Sequence, residues 1–521
     1  NIYARFGEIS PQVLIPFTRP GRSHYEAINN LIADIIPDVT ALEFRLVEDM
    51  FQTSDFSTVI DNFSFSCGGV APKPYRSPGF DPKIRTALGS RRQNTFKSNA
   101  FVFEQRNFNA DKGVNKMSRE SLVKEMVDTF FSSFVDLSKL DEFCYEEVQV
   151  NSVVLQEWYE NRTPMGRRAL DKELENSLEV LDQLTNYKLM VKGDLKPKIN
   201  PECIENLSSG QNIAFHARRL CACFSGVFTQ MVERIKACLL PRVKLYHGVN
   251  LEEFATAIGD VLKCSLDSYV VTEVDISKYD KSQNDLTKEV ELEIYRRFGM
   301  AGNLVDLWAS TEFVASVATM KRGFAADLGS QRRTGGANTW IGNTLVNMVL
   351  LANVVDVGKF SLMCFSGDDS LLLAREEVEI DAGKYQEQYG FDVKLIRLTD
   401  TFFCSKYVVE VDGAIKFVPD AMKLLYKLGA DYLDDKTIMR ERFQSFLDLT
   451  HDLADEKVIQ KLIPMLERRY DKSCWWYAAL ATINSLRANP SQFLRLWKER
   501  SVLWKKNKGL LCDDGRVELL D

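Results

Sequence analysis

Apolar positions along the chain switch between a helical and a strand period. Near the start, EAINNLIADIIPDVTALEFRLVEDM repeats apolar residues at helical spacing and is interrupted by Pro37. The Gly/Pro-rich stretch CGGVAPKPYRSPGFDPKI follows and predicts an extended loop. From about Ser118 to Leu184 the pattern is amphipathic and helical. Between Val270 and Val411, short apolar strands alternate with helices, and the remaining C-terminal part predicts helices with a Trp-rich, basic end. There is no internal repeat and no low-complexity segment.

Two of the apolar runs carry acids where a strand does not need them. In VVTEVDISKYDKSQ, Val270, Val271, Val274 and Ile276 form a β-prone run with Asp275 inside it. A carboxylate in a buried strand is costly unless it is paired or bound to a metal. Asp280 then opens a more polar stretch leading to a predicted helix, NDLTKEVELEIYRRF. In KFSLMCFSGDDSLLLA, two apolar runs flank a turn, a hairpin signal with Gly367 and Asp368 in the turn. Gly-Asp-Asp alone is equally a solvated turn, because Gly and Asp favour turns. Asp275 changes the balance. If the strands are neighbours, Asp275, Asp368 and Asp369 converge, and adjacent like charges are tolerated when a cation neutralises them. Such a set suits two Mg²⁺ ions that activate an attacking hydroxyl and stabilise a leaving pyrophosphate. Between the acidic runs lies QRRTGGANTWIGNTLVNMVLLANV. Thr334-Gly335-Gly336 predicts a flexible loop and Asn338 to Val354 a helix, with Thr339 and Asn343 four residues apart on one face.

Composition narrows the class. With 521 residues, 45% apolar and 27% charged, the chain is an ordinary globular protein, long enough for two or three subdomains around a shared core. The net charge of −7 argues at first against nucleic-acid binding. Net charge does not report local field, however, and two stretches are basic: Lys83 to Lys112, and YKLMVKGDLKPKI running on to QNIAFHARRL. Eleven cysteines with only Cys221 and Cys223 close together do not make a zinc spacing, and they read as free thiols of a reducing compartment. His216 reads as a structural hydrogen-bonder. No apolar run approaches the roughly 20 residues of a bilayer span. No signal sequence opens the chain, and its first residue, Asn, suggests a fragment, a processed product or the tail of a larger translation product.

The order of these motifs resembles a family. Asp-x4-Asp, then T-G-x3-T-x3-N-T, then Gly-Asp-Asp resembles motifs A, B and C of viral RNA-dependent RNA polymerases. DISKYDKSQN, QRRTGGANTWIGNT and FSGDDSLL are similar to the alphavirus-like supergroup of plant viruses, and the middle form most resembles closteroviruses. The upstream KIRTALGSRRQNT and RNFNA, YKLMVKGDLKPK, and the downstream FFCSKYVV and PDAMKLLYKLG also match, so the resemblance covers roughly residues 80 to 430. It implies metal ligation by Asp275 and Asp368 with Asp369 in support, Mg²⁺ as cofactor (Mn²⁺ substituting), and reading of the ribose 2′-hydroxyl by Asp280 and Asn343, helped by Thr339. It implies Lys394 as general acid for pyrophosphate, and Lys192, Lys198 and Arg218, with Lys188, Lys196 and Arg219 nearby, as guides for the triphosphate. Arg85, Arg91 and Arg92 would hold template RNA, the Gly335-Gly336 loop would touch RNA, and Cys404, Ser405 and Lys406 would support the primer end.

The implied fold is α+β, a right hand with fingers, a palm built on a small antiparallel sheet with helices, and a helical thumb. The expected division is 1–264 N-terminal segment and fingers, 265–300 palm, 301–333 fingers insertion, 334–415 palm and 416–521 thumb. The implied activity is template-directed RNA synthesis from NTPs by two-metal nucleotidyl transfer. Expected partners are template and product RNA and other viral replication proteins. Capping and helicase functions would sit on another chain or a missing upstream part, since no Walker A sequence is present. The expected location is the host cytoplasm, at membrane-associated replication complexes. Two other readings compete. A sugar-nucleotide transferase would share the acids but not need the T-G-x3-T-x3-N-T helix. A non-catalytic RNA-binding subunit would not need all three carboxylates.

Overall fold

The computed structural model describes residues 117–175, 184–192, 211–319, 324–430, 436–470 and 475–499, with the short pieces 63–65, 80–82, 99, 102–103 and 106–107. In chain order the main elements are β1 (Phe63–Phe65), β2 (Phe80–Pro82), α1 (Arg119–Phe134), β3 (Asn186–Val191), β4 (Asn212–Phe215), α2 (Arg218–Cys238), β5 (Val243–Leu245), α3 (Leu251–Gly259) and β6 (Val270–Ile276). They continue with α4 (Tyr279–Ser282), α5 (Asp285–Arg297), α6 (Gly302–Glu312), β7 (Ala315–Thr319), β8 (Phe324–Leu328), α7 (Thr339–Val354), β9 (Phe360–Ser366), β10 (Asp369–Ala374) and β11 (Val393–Leu398). The chain then forms β12 (Phe402–Phe403), β13 (Lys406–Val411), β14 (Ala414–Pro419), α8 (Ala421–Ala430), α9 (Lys436–Leu449), α10 (Glu456–Arg469), α11 (Trp475–Ala488) and β15 (Trp497–Glu499).

The central sheet has the order β11-β6-β10-β9-β5. Four of its strands run antiparallel, but β5 pairs parallel with β9, so the expected antiparallel sheet is mixed. The parallel edge follows from a crossover: β5 leaves the long helix α2, and β9 is reached only after the whole α3-to-α7 excursion.

Alternation along these strands separates two faces. Val274 and Ile276 of β6, Met363 and Phe365 of β9 and Leu372 of β10 share one apolar core with Phe130 and Phe134 of α1 and with α7. Helix α7 is apolar on nearly every side and is buried on nearly every side, as such a helix must be. The opposite parity, Val271, Leu362, Cys364, Leu371 and Leu373, packs on Phe254 and Ile258 of α3 and on Val408 and Phe417 of the three-stranded sheet β12-β13-β14. The other face of that small sheet, through Tyr407, Val409 and Val418, packs on the C-terminal helices at Leu462, Leu466 and Ile483. A second mixed sheet, β1-β8-β7-β3-β4, gathers strands from both sides of the first acidic run.

A buried ionic network ties the segment from Arg332 to Asn338 to helices α5 and α6. Arg332 meets Glu291 of α5 in a two-pronged pair at 2.5 and 3.1 Å, with both side chains 1% exposed. Tyr295 donates to the same carboxylate at 2.6 Å, and Asn338 donates to it as well. Lys288 pairs with Glu312 at the end of α6, and Arg333 donates to the Glu312 carbonyl at 2.7 Å. Helix α7 crosses directly over this cluster at Gly342, where a Cβ would overlap the Glu291 carboxylate and the Arg332 guanidinium. Breaking such a pair strands a buried charge, at a cost of about 3–5 kcal/mol. Arg332→Met should therefore lower the melting temperature sharply, and Arg332→Met combined with Glu291→Met should recover part of the loss. A single variant no worse than Arg296→Met, which breaks the exposed Arg296–Asp306 pair, would remove the network from the stability account.

Candidate active site

The β9–β10 hairpin pairs Asp369 with Ser366 across the two-residue turn Gly367-Asp368. Gly367 has φ +64° and Asp368 does not lie at positive φ, the pattern of a type II′ turn with its required glycine. Strand β10 pairs with β6 at Leu372–Thr272, Leu373–Val271 and Ala374–Val270. Continued along the strands, this register sets Asp369 opposite Asp275. Ser370 supports the continuation, because its hydroxyl accepts from the Val274 N–H at 3.0 Å and lies 3.3 Å from the Val274 carbonyl. On the other side β11 sets Lys394 opposite Asp275. Asp369, Asp275 and Lys394 thus form a row on one face. Asp275, Asp368 and Lys394 are exposed, and Asp369 is half-buried. The expectation of an acid inside a buried strand fails at Asp275: its neighbours Val274 and Ile276 take the core face, and parity turns Asp275 to the open one. Among the described residues, no three His, Cys, Asp or Glu side chains stand in ready metal-ligating geometry.

Helix α7 holds the acidic turn from below. Thr344 accepts the Gly367 N–H at 2.9 Å, and Asn347 donates to the carbonyls of Gly367 and Asp368 at 3.3 and 3.2 Å. Trp340 donates to Ser366 at 3.1 Å. These four hydrogen bonds come from three residues at positions i, i+4 and i+7 of one helix face. The same helix carries Asn343, whose Nδ2 donates to Asp280 Oδ1 at 2.9 Å. Burial and the nearby Asp368 push the Asp280 carboxyl upward from its ordinary value, against the Asn343 hydrogen bond and the cations Arg332 and Arg106. Asp280 therefore stands within electrostatic reach of the acidic turn. Asp280 also lines a pocket with Arg106, Asn212, Lys278, Arg332 and Thr334.

Residues 53–496 match the family described as RNA dependent RNA polymerase. This chain belongs to that family. It is 38% identical over 480 residues to the Replicase polyprotein 1ab of Grapevine leafroll-associated virus 3 (isolate United States/NY1), covering 92% of this chain and 17% of that protein. It is 30% identical over 503 residues to the Replicase polyprotein 1ab of Beet yellows virus (isolate Ukraine), covering 95% of this chain and 16% of that protein. The Methyltransferase/helicase/RNA-directed RNA polymerase of Raspberry bushy dwarf virus (isolate Malling Jewel raspberry/R15) is 25% identical over 503 residues, 94% of this chain and 29% of that protein. The chain thus spans less than a third of the length of each of these relatives.

Within this polymerase-family chain the other expected site residues separate. The Thr339 hydroxyl is bound to the carbonyls of Arg333 and Gly336, both at 2.8 Å, and so braces its own loop. Gly335 is needed for packing: its N–H donates to the Ala214 carbonyl at 2.9 Å, and a Cβ would come within 2.7 Å of Phe215 Cβ. Gly336 donates back to the Arg333 carbonyl at 2.9 Å. Arg218 and Arg219 begin α2 near Glu173, which takes the Arg219 N–H at 3.4 Å and Lys188 Nζ at 3.8 Å. Lys192 closes the β3–β4 pair through its backbone N–H to Gln211. Arg85, Arg91, Arg92, Lys196 and Lys198 lie outside the described residues. His216 is buried, hydrogen-bonded to the Leu184 carbonyl at 3.1 Å, and held down to about 4 by burial, which is a structural role. The described cysteines are all free thiols.

Cys404 and Ser405 both take positive φ, +48° and +63°, in the two-residue turn between β12 and β13. Burial and the Asp369 carboxylate hold the Cys404 thiol protonated, which puts this turn against the acidic row. Lys406 folds back, donating to the Cys404 carbonyl at 3.1 Å and standing 5.2 Å over the Tyr246 ring.

Sequence reasoning quoted Thr344 as the end of T-G-x3-T-x3-N-T without giving it a role, and missed Asn347, Arg106, Lys278 and Glu273. Asn347, three residues after Thr344 on the same face of a largely apolar helix, was the available signal for its role. Glu273 shares the parity of Asp275. Burial pushes it up to about 7, and repulsion from Asp369 and Asp275 adds to this. A raised folded-state pKa gives stability that is present below the ordinary value and lost as pH rises through the folded value. Without divalent metal, the wild-type melting temperature should fall from about pH 5 to about pH 7.5 more steeply than that of Glu273→Gln. Parallel curves for the two proteins would show that Glu273 does not feel the acidic row.

Proposed function

We propose that this chain carries the nucleotidyl-transfer centre of a viral replicase and synthesises RNA on an RNA template from nucleoside triphosphates. The observation that carries the reading is the register that sets Asp275 opposite Asp369 and beside the Asp368 turn. Its strongest support is a second pair, Asp280–Asn343, whose Asn343 sits on the same helix, α7, that holds the acidic turn.

In this reading Asp275, Asp368 and Asp369 hold Mg²⁺, or Mn²⁺ in its place. Their oxygens suit a hard cation, and the like-charge repulsion felt at Glu273 is what a cation would relieve. Bound there, the metal ions supply Lewis acidity to the primer 3′-hydroxyl and the leaving pyrophosphate. Asp280 and Asn343 bind the ribose 2′-hydroxyl. Arg106 and Lys278 line the pocket beside them and offer cations to the triphosphate, with Lys192, Lys198 and Arg218 as outer guides. In this reading Lys394, whose strand position is opposite Asp275, gives a proton to pyrophosphate. Arg85, Arg91 and Arg92 hold the template, and the Cys404-Ser405-Lys406 turn supports the primer end.

The proposed arrangement is a right hand: N-terminal segment and fingers in 1–264, a fingers insertion at 301–333, palm in 265–300 and 334–415, and thumb in 416–521. Methyltransferase and helicase domains, named in the Raspberry bushy dwarf virus relative, are the partners proposed for this chain. Host-membrane replication complexes in the cytoplasm are the proposed setting. The test is incorporation of labelled NTP on a defined RNA template with Mg²⁺ or Mn²⁺. Template-dependent product is expected. RNA retention without incorporation would leave a non-catalytic RNA-binding subunit, and sugar-nucleotide turnover would leave a glycosyltransferase.

A further inference from the structure

Asn343 has both ends of its side-chain amide engaged. Its Nδ2 donates to Asp280 Oδ1 at 2.9 Å, and its Oδ1 accepts from Gln283 Nε2 at 2.7 Å. Its backbone carbonyl also accepts from the Tyr279 hydroxyl at 2.7 Å. Asn343 is 7% exposed and Gln283 2%. Gln283 sits at a built position. It links α4 to α5, and the next residue, Asn284, closes a capping box with Thr287 that starts α5.

A side-chain amide has a donor end and an acceptor end, and a half-turn exchanges them. An ionised Asp280 only accepts, so it requires the donor end of Asn343. The acceptor end must then face a donor, and Gln283 provides one. The Gln283 Oε1 is buried and has no hydrogen-bond partner among the described residues. Leaving a buried carbonyl unpaired is costly. Turning the Gln283 amide would set its oxygen against Asn343 Oδ1 and strand that oxygen as well.

We propose that Gln283 is a positioning residue for sugar selection, which holds the amide of Asn343 with its N–H groups toward Asp280 and the ribose. This rests on the polymerase reading. With Oδ1 occupied, the second N–H of Asn343 and the second carboxylate oxygen of Asp280 have no hydrogen-bond partner among the described residues. A 2′-hydroxyl matches both, accepting from Asn343 and donating to Asp280. A 2′-deoxy sugar matches neither.

The test uses the purified chain as wild type, Gln283→Met, Gln283→Glu, Asn343→Ala and Gln283→Met/Asn343→Ala. It reads the ratio of kcat/KM for a ribonucleotide over its deoxyribonucleotide on one template and primer, with melting temperature and RNA affinity as controls. Gln283→Met should lower the ratio about tenfold, the scale of one hydrogen bond in a charged chain. Gln283→Glu should lower it at least as far, because a carboxylate turns the Asn343 amide around and opposes two acceptors at Asp280. The double variant should match Asn343→Ala, since Gln283 acts through Asn343. A wild-type ratio in Gln283→Met beside a lowered one in Asn343→Ala would overturn the proposal, and so would a double variant whose losses multiply. If the methionine variant does not fold, Gln283→Glu, of the same size, carries the test. A wild type that incorporates neither nucleotide instead refutes the polymerase reading, and the proposal falls with it.

Discussion

Asp368→Asn is expected to lower template-directed nucleotide incorporation by about a thousandfold or more while leaving RNA affinity nearly unchanged. Asp368 occupies the exposed corner of a II′ turn whose backbone is held by Thr344 and Asn347 through main-chain atoms alone. The substitution leaves those three bonds intact and keeps the side chain's size. It removes one negative charge from the row completed by Asp275 and Asp369, and an interaction made chiefly with charge developing in the transition state costs rate rather than ground-state binding. Primer extension and filter binding on the same preparation separate the two. A loss below tenfold, or a parallel loss of RNA affinity, would move Asp368 out of the chemistry and return Gly-Asp-Asp to a solvated turn.

Asn343→Ala is expected to lower the preference for ribonucleotides over deoxyribonucleotides by about ten- to a hundredfold, the range for losing a hydrogen bond to a charged group. The variant removes the donor that meets Asp280 at 2.9 Å and leaves Asp280, already pushed upward by burial, without its principal neutral partner. RNA affinity should change far less, because no phosphate contact is lost. The ratio of kcat/KM for the two nucleotides is the measurement. An unchanged ratio with activity retained would make Asn343 a helix residue whose hydrogen bonds serve packing alone.

Local pattern carried the pieces of this site. The glycine of the II′ turn, the β-branched run before Asp275 and the apolar length of α7 each depend on residues within a few positions, and periodicity records such short-range requirements. The order of the acidic runs around T-G-x3-T-x3-N-T was legible for the same reason. Sequence alone therefore determined the hairpin, the long central helix and the family.

Tertiary structure decided what lies opposite what. Nothing near Asp275 says that β10 and β11 flank β6, because strand adjacency is set by which faces the whole chain buries. That pairing, and not a buried strand position, gives Asp275 its neighbours and its exposure. Gly335, read as part of a flexible loop, is a close contact with β4, and Arg332 near it is the buried partner of Glu291, 41 residues earlier. Gln283 looked like one more polar residue after a strand. Only the packing of α4 against α7 gave its amide a partner, since a hydrogen bond between residues 60 apart in sequence leaves no local period to read.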